Sequence, residues 1–137
     1  GWGSAAFTAG NASGLIGAGA AALMFPPAAT TENLTAIQAL RYAGFLEGNG
    51  GSMIPPANAA GGAIGFTNTV MNFGTVNVVC FNGLSGKQAG ALDRLLDDGV
   101  NTTGSVRSDT VALAATVPTG TTVYSETTTG VTLCKTL

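Results

Sequence analysis

The first clear periodic pattern along the chain predicts a helix from about Thr31 to Glu47. Leu34, Ile37 and Leu40 recur at helical spacing, and we expect them to face the core. Threonine is a favoured capping residue at the start of a helix, and Gly48 is suited to the position just after its end. The pattern indicates a packing helix with no further role.

A second helix is predicted directly after Ser85, where the chain has its clearest local signature. Ser85 followed three residues later by Gln88 has the spacing of a capping box. The helix would extend to about Asp98, with Gly99 as a terminating glycine. Four apolar residues would share its core-facing side: Ala89, Leu92, Leu95 and Leu96.

Runs rich in valine and threonine predict several short β-strands. The runs cover residues 63–67, 69–73, 75–81, 105–107, 110–117, 121–125 and 131–135. Asn82 and Gly83 form a dipeptide that is typical of turns. Because short turns favour antiparallel pairing, we predict an α+β fold in which two short helices pack on an antiparallel sheet of about four to five strands.

Residues 1–29 differ from the rest of the chain, since they are rich in glycine and alanine and show no clean period. The glycines argue against a stable isolated helix. Scattered large apolar residues argue against a solvated tail, and these are Trp2, Phe7, Leu15, Ile16, Leu23, Met24 and Phe25. Residues 1–29 should therefore lie against either their own domain or a partner. We expect them to be a docking segment for a partner, attached to a single globular domain of residues 30–137.

Charged side chains are scarce, at 9% of the 137 residues against about 25% in typical soluble proteins. Residues 1–31 carry none, and the net charge is −2. The chain has no basic run, so we expect no binding to nucleic acid. It has no histidine, which excludes a histidine triad or a histidine-ligated metal. A free monomer usually depends on surface charge for solubility, so this composition suggests contacts with other subunits.

No group of residues has the spacing of a catalytic site or a cofactor site. The glutamates at positions 32, 47 and 126 lie in separate segments, so they do not predict a paired-carboxylate hydrolase. We therefore expect no enzymatic activity and no cofactor.

The acidic residues Asp93, Asp97 and Asp98 form the one cluster that could hold a metal. Asp97 and Asp98 with Asn101 would offer oxygen ligands to Ca²⁺. The spacing does not match the calcium loop of an EF-hand. The alternative is a solvated turn in which these carboxylates accept hydrogen bonds or pair with an arginine.

No apolar stretch reaches the 18 residues of a membrane-spanning helix. The longest, residues 14–25, stops at Pro26 and has no positive residue before it, so we expect a mature chain from which any leader has been removed. Cys80 and Cys134 both lie in β-like runs, where they are either two buried thiols or a structural disulfide. A disulfide would place the protein outside the cytosol.

The segment C-F-N-G-L-S-G-K-Q-A-G-A-L-D-R-L-L-D-D-G at residues 80–99, with T-G-S-V-R at 103–107, resembles the distal part of bacterial type IV pilins and minor pilins. In those proteins a strand leads into a short capped helix that ends in an L-D-D-G-like turn, and a T-G-x-V-R-like strand follows. The segment A-L-R-Y-A-G-F-L at 39–46 is similar to their L-x-x-A-G-hydrophobic helix. The resemblance covers about half the chain.

This resemblance implies a pilin-headgroup-like fold and a disulfide between Cys80 and Cys134, which match the pilin disulfide of the C-terminal region. It implies a structural subunit of an extracellular filament, a type IV pilus or a pseudopilus, exported through the periplasm. The long hydrophobic first helix of pilins is absent, so the chain is either a cut pilin or the separate globular subunit of a split pilin. We favour the latter, whose partners are a helix-only pilin subunit and copies of itself. The alternative is another extracellular surface-lattice, tubular or phage-decoration protein.

Overall fold

The computed structural model describes residues 10–17, 32–110 and 123–137, which contain two helices and four strands. In chain order they are α1 (Glu32–Tyr42), β1 (Ile64–Asn68), β2 (Asn77–Leu84), α2 (Gly86–Leu96), β3 (Val106–Asp109) and β4 (Val131–Thr136). The strands form one antiparallel sheet in the order β1-β2-β4-β3. Helix α1 contacts β1, and α2 contacts β3 and β4. The predicted α+β class, with two helices on an antiparallel sheet, is confirmed.

A disulfide joins the two central strands of this sheet. Cys80 on β2 lies directly opposite Cys134 on β4, and both residues are fully buried. The pairing implied by the pilin resemblance is therefore confirmed, and the alternative of two free thiols is wrong. A disulfide is compatible with an exported protein, since such bonds persist in oxidising compartments. No helix within the described ranges combines the length and apolar character needed to cross a membrane.

The two faces of the sheet bury separate apolar clusters, because successive side chains of a strand point to opposite faces. One cluster surrounds the disulfide and consists of Val70, Met71, Val78, Cys80 and Cys134, with Phe73 against it. The other lies under α2 and consists of Leu84, Ala89, Val106, Val131 and Leu133, with Phe81, Leu92 and Tyr124 among its neighbours.

The predicted turn at Asn82 and Gly83 is wrong, because both residues lie inside β2. The register between β2 and β4 shifts between Phe81 and Leu84, and Gly83 has a φ of 74°. This irregularity changes the side-chain alternation, so that Leu84 packs in the same cluster as Phe81. A turn-forming dipeptide is used here to form a bulge.

The predicted strand at residues 69–73 is also absent. Thr69, Met71 and Asn72 have φ values of 56°, 50° and 57°, which are incompatible with a strand. The segment forms an irregular turn that buries Val70 and Met71 against the disulfide. Val70 and Met71 therefore do face the core, but from an irregular turn after β1 and not from a strand.

Both helices differ from their predictions in detail. Helix α1 ends at Tyr42 rather than Glu47, and Gly44 follows with a φ of 78°. Leu34 and Ile37 are buried as predicted, whereas Leu40 is only half-buried.

The capping box that begins α2 is confirmed: the Gln88 backbone N–H donates to Ser85 Oγ, and the Ser85 N–H donates to Gln88 Oε1. The predicted core face of α2 is partly wrong. Ala89 is buried and Leu92 half-buried, but Leu95 and Leu96 are 78% and 47% exposed. The helix is rotated so that Asp93 is buried in their place.

The remaining predicted strands divide into three cases. The runs 63–67, 75–81, 105–107 and 131–135 correspond to β1, β2, β3 and β4. Most of the run 110–117 and residues 121–122 lie outside the described residues. The described end of the run 121–125, residues 123–125, is not in a strand.

Candidate functional site

Part of the predicted docking segment, residues 10–17, is attached to the domain itself. Asn68 Nδ2 donates to the carbonyls of Ile16 and Gly17 at 2.9 and 2.8 Å, and Asn77 Nδ2 donates to the carbonyl of Gly14 at 2.8 Å. The Ile16 backbone N–H donates in return to Asn77 Oδ1 at 2.7 Å. Two asparagines at one end of the β1–β2 pair therefore hold this strap.

The seven apolar residues predicted to dock are not brought together in the described part of the chain. Ile16 and its neighbour Leu15 are half-buried in the strap. The other five lie outside the described residues, and these are Trp2, Phe7, Leu23, Met24 and Phe25.

An apolar groove of about 450 Å³ runs beside α1, and we call it the α1 groove. It is lined by Ile16, Ala36, Ala39, Leu40, Ala43, Phe45, Phe66 and Leu137. None of these lining residues is charged or carries a polar side chain. The groove combines residues from the strap, α1, β1 and the end of the chain.

The shape of the α1 groove follows from the sequence of α1. Ala36 and Ala39 of α1, with Ala43 just after its end, contribute only methyl groups to the groove, beside the larger side chain of Leu40. Phe45 and Leu137 are 79% and 71% exposed in the same groove. Small residues flanked by large apolar residues suit the close approach of another helix.

A second apolar cavity, of about 700 Å³, lies between α2 and the sheet, and we call it the α2 cavity. Its lining includes Val79 and Phe81 from β2, Leu92 and Leu96 from α2, and Lys135 from β4. Sequence patterning missed this surface because it assigned Leu96 to the core.

The turn after α2 is held by aspartate side chains that accept hydrogen bonds. Asp97 Oδ2 accepts from the backbone N–H groups of Ser105 and Val106, which positions the start of β3. Asp98 accepts from the Val100 N–H at 2.8 Å and from Thr103 Oγ1 at 2.6 Å. The hydrogen bond from Thr103, followed by that from Val100, holds the pKa of the Asp98 carboxyl below its usual range.

Asp93 is the buried member of this acidic turn, with 1% of its surface exposed. Burial raises the pKa of its carboxyl, a hydrogen bond from the Gly99 N–H opposes that rise, and the charges of Asp98 and Asp97 add to it. One carboxylate oxygen from each of the three aspartates lies within 4.8 Å of the others.

Asn101, predicted as a possible calcium ligand, turns its amide toward β3. Its Nδ2 donates to the Ser108 carbonyl at 3.4 Å. The hydrogen bonds expected for the alternative, a solvated turn, are present in the acidic turn, and the calcium site stays a prediction. The sequence identified all three aspartates as one acidic cluster, but it did not predict that Asp93 is buried.

The side chain of Arg107 connects β3 to another part of the fold. Its guanidinium carbon lies 4.7 Å from the centroid of the Phe73 ring, and its Nη1 donates to the Met71 carbonyl at 3.0 Å. The side chain thus ties β3 to the buried turn that follows β1.

In comparisons with known proteins, no protein-family model, no curated protein sequence and no solved structure matches this chain.

Proposed function

We propose that this protein is a structural subunit of an extracellular filament, a type IV pilus or pseudopilus, and that it forms the globular outer part around a helical pilin core. The observation that carries the proposal is the α1 groove, an uncharged surface shaped for a helix. The likeness of residues 80–107 to the distal part of type IV pilins supports it independently.

The occupant proposed for the α1 groove is the apolar helix of a helix-only pilin subunit. The alanine side of α1 lets a second helix approach closely, and the exposed side chains of Phe45 and Leu137 would pack on either side of it. A charged or polar ligand would find no partner among the lining residues.

Copies of the chain would meet through the α2 cavity, with its exposed lining residue Leu96 and the exposed Leu95, and the cavity of one copy would contact a different surface of the next. An interface between two unlike surfaces does not close on itself as a two-fold dimer does, so repeating it generates a ring or a helical filament. A structural role of this kind requires no catalytic residue, and we propose that the protein is not an enzyme.

The disulfide supports an extracellular location reached through the periplasm. The Cys80–Cys134 bond joins the two central strands, and such a bond forms and persists most readily in an oxidising compartment. A filament subunit exposed at the cell surface also benefits from a cross-link that resists unfolding.

The proposal is tested with two matched substitutions, one on each helix: Ala39→Arg, where Ala39 lines the α1 groove, and Ala91→Arg, where Ala91 lines the α2 cavity. Filaments sheared from producing cells are examined by electron microscopy, and their chains are identified by mass spectrometry. Ala39→Arg should remove the helix-only chain and the filaments together, because an arginine in an uncharged groove blocks the helix and cannot be solvated there. Ala91→Arg should shorten filaments but leave the helix-only chain bound.

Circular dichroism of both purified variants shows whether the domain is still folded. Normal filaments from Ala39→Arg would contradict the proposal. Sheets or tubes made of this chain alone would favour the alternative, a surface-lattice, tubular or phage-decoration protein.

A further inference from the structure

The acidic turn contains a buried carboxylate oxygen without a partner. Asp93 Oδ1 accepts a hydrogen bond from the Gly99 N–H at 3.1 Å, but Asp93 Oδ2 is buried and has no hydrogen-bond partner. Leaving a buried charged oxygen unpaired is costly, and such an atom points to a missing proton, water or ion.

The carboxylates of Asp97 and Asp98 lie close to Asp93 and add negative charge around its buried oxygen. Oxygens of Asp93, Asp97 and Asp98 lie within 4.8 Å of one another, so three negative groups converge on one point. The nearby Arg107 is directed elsewhere, over the Phe73 ring and onto the Met71 carbonyl. Two arginines of the chain do act on the cluster through their charge, since that of Arg94 favours ionised Asp93 and that of Arg107 favours ionised Asp98. Neither is a hydrogen-bond partner of Asp93 Oδ2, which stays without one.

The hydrogen bonds of the turn leave acceptors for a cation. Both backbone donors to Asp97 bind its Oδ2, which leaves Oδ1 available. Each oxygen of Asp98 accepts one donor and retains a second lone pair. A cation can thus be bound by all three carboxylates while every bond of the turn is kept.

We propose that Asp93, Asp97 and Asp98 form a calcium-binding site at the end of α2. The donors are all hard oxygens, which suit Ca²⁺ or Mg²⁺ rather than zinc or copper. Oxygens within 4.8 Å of one another can all contact one Ca²⁺ ion, whose ligand distance is about 2.4 Å and whose geometry is flexible, whereas Mg²⁺ requires near-octahedral geometry at about 2.1 Å. Asp98 is exposed, so water completes the coordination shell.

Three carboxylates with water place the site in the affinity class of extracellular modules, with a Kd of about 10⁻⁴ to 10⁻³ M. The bound ion would link α2 to the start of β3, because Asp97 also holds the Ser105 and Val106 N–H groups. The site is independent of the proposed filament role, and its test uses the full chain with its disulfide intact.

The first experiment measures the melting temperature of the wild-type chain in EDTA, in about 10 mM CaCl₂ and in MgCl₂ at matched ionic strength. At tenfold excess over Kd, calcium should raise the folding equilibrium constant about elevenfold and the melting temperature by about 5 °C. Mg²⁺ should have a smaller effect. Asp93→Asn should abolish the calcium shift, whereas Glu126→Gln, an exposed carboxylate outside the cluster, should keep it.

The second experiment is equilibrium dialysis with radioactive calcium, which measures binding directly. The wild-type chain should bind one ion, and Asp98→Asn should lower the affinity about tenfold or more without unfolding the chain, because Asp98 is exposed. No calcium binding by the wild-type chain would overturn the proposal. A calcium-dependent rise in melting temperature that persists in Asp93→Asn would also overturn it. So would a wild-type chain whose melting temperature does not respond to calcium while Asp93→Asn is more stable than the wild type, which is the result expected if a proton occupies the cluster.

Discussion

Removing the disulfide is the perturbation whose cost is easiest to work out from this structure. Cys80 and Cys134 are 54 residues apart in the chain, and the loop that they close contains α2 and β3. In the chain-entropy model, a cross-link over a loop of this length stabilises the folded state by about 4 kcal/mol. Replacing both cysteines by alanine also removes two buried sulfur atoms, at about 1 kcal/mol each.

The two contributions are separated by comparing three samples in urea unfolding followed by circular dichroism. The reduced wild-type chain loses the cross-link but keeps the sulfur atoms, and should be about 4 kcal/mol less stable than the oxidised chain. At about 4 °C per kcal/mol for a chain of this size, its melting temperature should fall by about 15 °C. The variant with Cys80→Ala and Cys134→Ala should be less stable still and insensitive to reductant.

Alanine is preferred to serine in this experiment because the cysteines pack against the apolar side chains of Val78 and Met71, and burying a serine hydroxyl group among them would itself be destabilising. Alkylation of a portion of the sample after unfolding confirms that the thiols have been reduced, because both are fully buried in the folded chain. A reduced wild-type chain that unfolds at the same urea concentration as the oxidised chain would refute the reasoning.

Three further predictions concern the turns around α2. Ser85→Ala removes the capping box and should lower the free energy of unfolding by about 1 kcal/mol in urea titrations; no change would show that the cap contributes nothing. Gly104→Ala and Gly130→Ala both place alanine at a positive φ, which costs about 1 kcal/mol. At Gly104 the new Cβ would also collide with Asp97 Oδ2, whereas at Gly130 it would meet no atom. Gly104→Ala should therefore lower the free energy of unfolding more than Gly130→Ala, and equal effects would contradict the geometry. Burial raises the pKa of the Tyr124 hydroxyl, and its hydrogen bond with Ser108 opposes that rise. The hydroxyl therefore ionises first in the unfolded chain, and the free energy of unfolding should fall as the pH rises above about 10. Tyr124→Phe should weaken this alkaline loss in unfolding titrations, and an unchanged pH profile would refute the prediction.

Sequence reasoning succeeded where a local signal decides the local structure. The capping box at Ser85 and Gln88 depends only on four consecutive residues, and it is present as predicted. The strands rich in valine were found because β-branched residues pack well on a sheet in almost any context. The α+β class followed from counting these elements.

The failures occurred where tertiary packing decides between local alternatives. Asn82 and Gly83 are suitable for a turn or a bulge, and pairing with β4 selects the bulge. The apolar spacing of α2 placed Leu95 and Leu96 inside, but the side of the helix that packs on the sheet is the one with Ala89 and Asp93. A buried aspartate is rare, so composition alone argues against it.

The candidate sites were predictable to different degrees. The acidic turn lies within a few consecutive residues, so Asp97 and Asp98 could be singled out from the sequence. The α1 groove combines Ile16, Ala39, Phe45 and Leu137, which are far apart in the chain. No local pattern connects them, although the alanine spacing of α1 was visible.

The central claim is that this chain surrounds a helical core in a filament, and the composition and structure of the purified assembly test it most directly. Electron cryomicroscopy of filaments sheared from producing cells, with mass spectrometry of their chains, should show a thin filament with this chain outside and a helix-only chain inside, seated in the α1 groove beside Ala39 and Phe45. An assembly built from this chain alone, or a chain that remains a monomer in the presence of the helix-only pilin, would contradict the account.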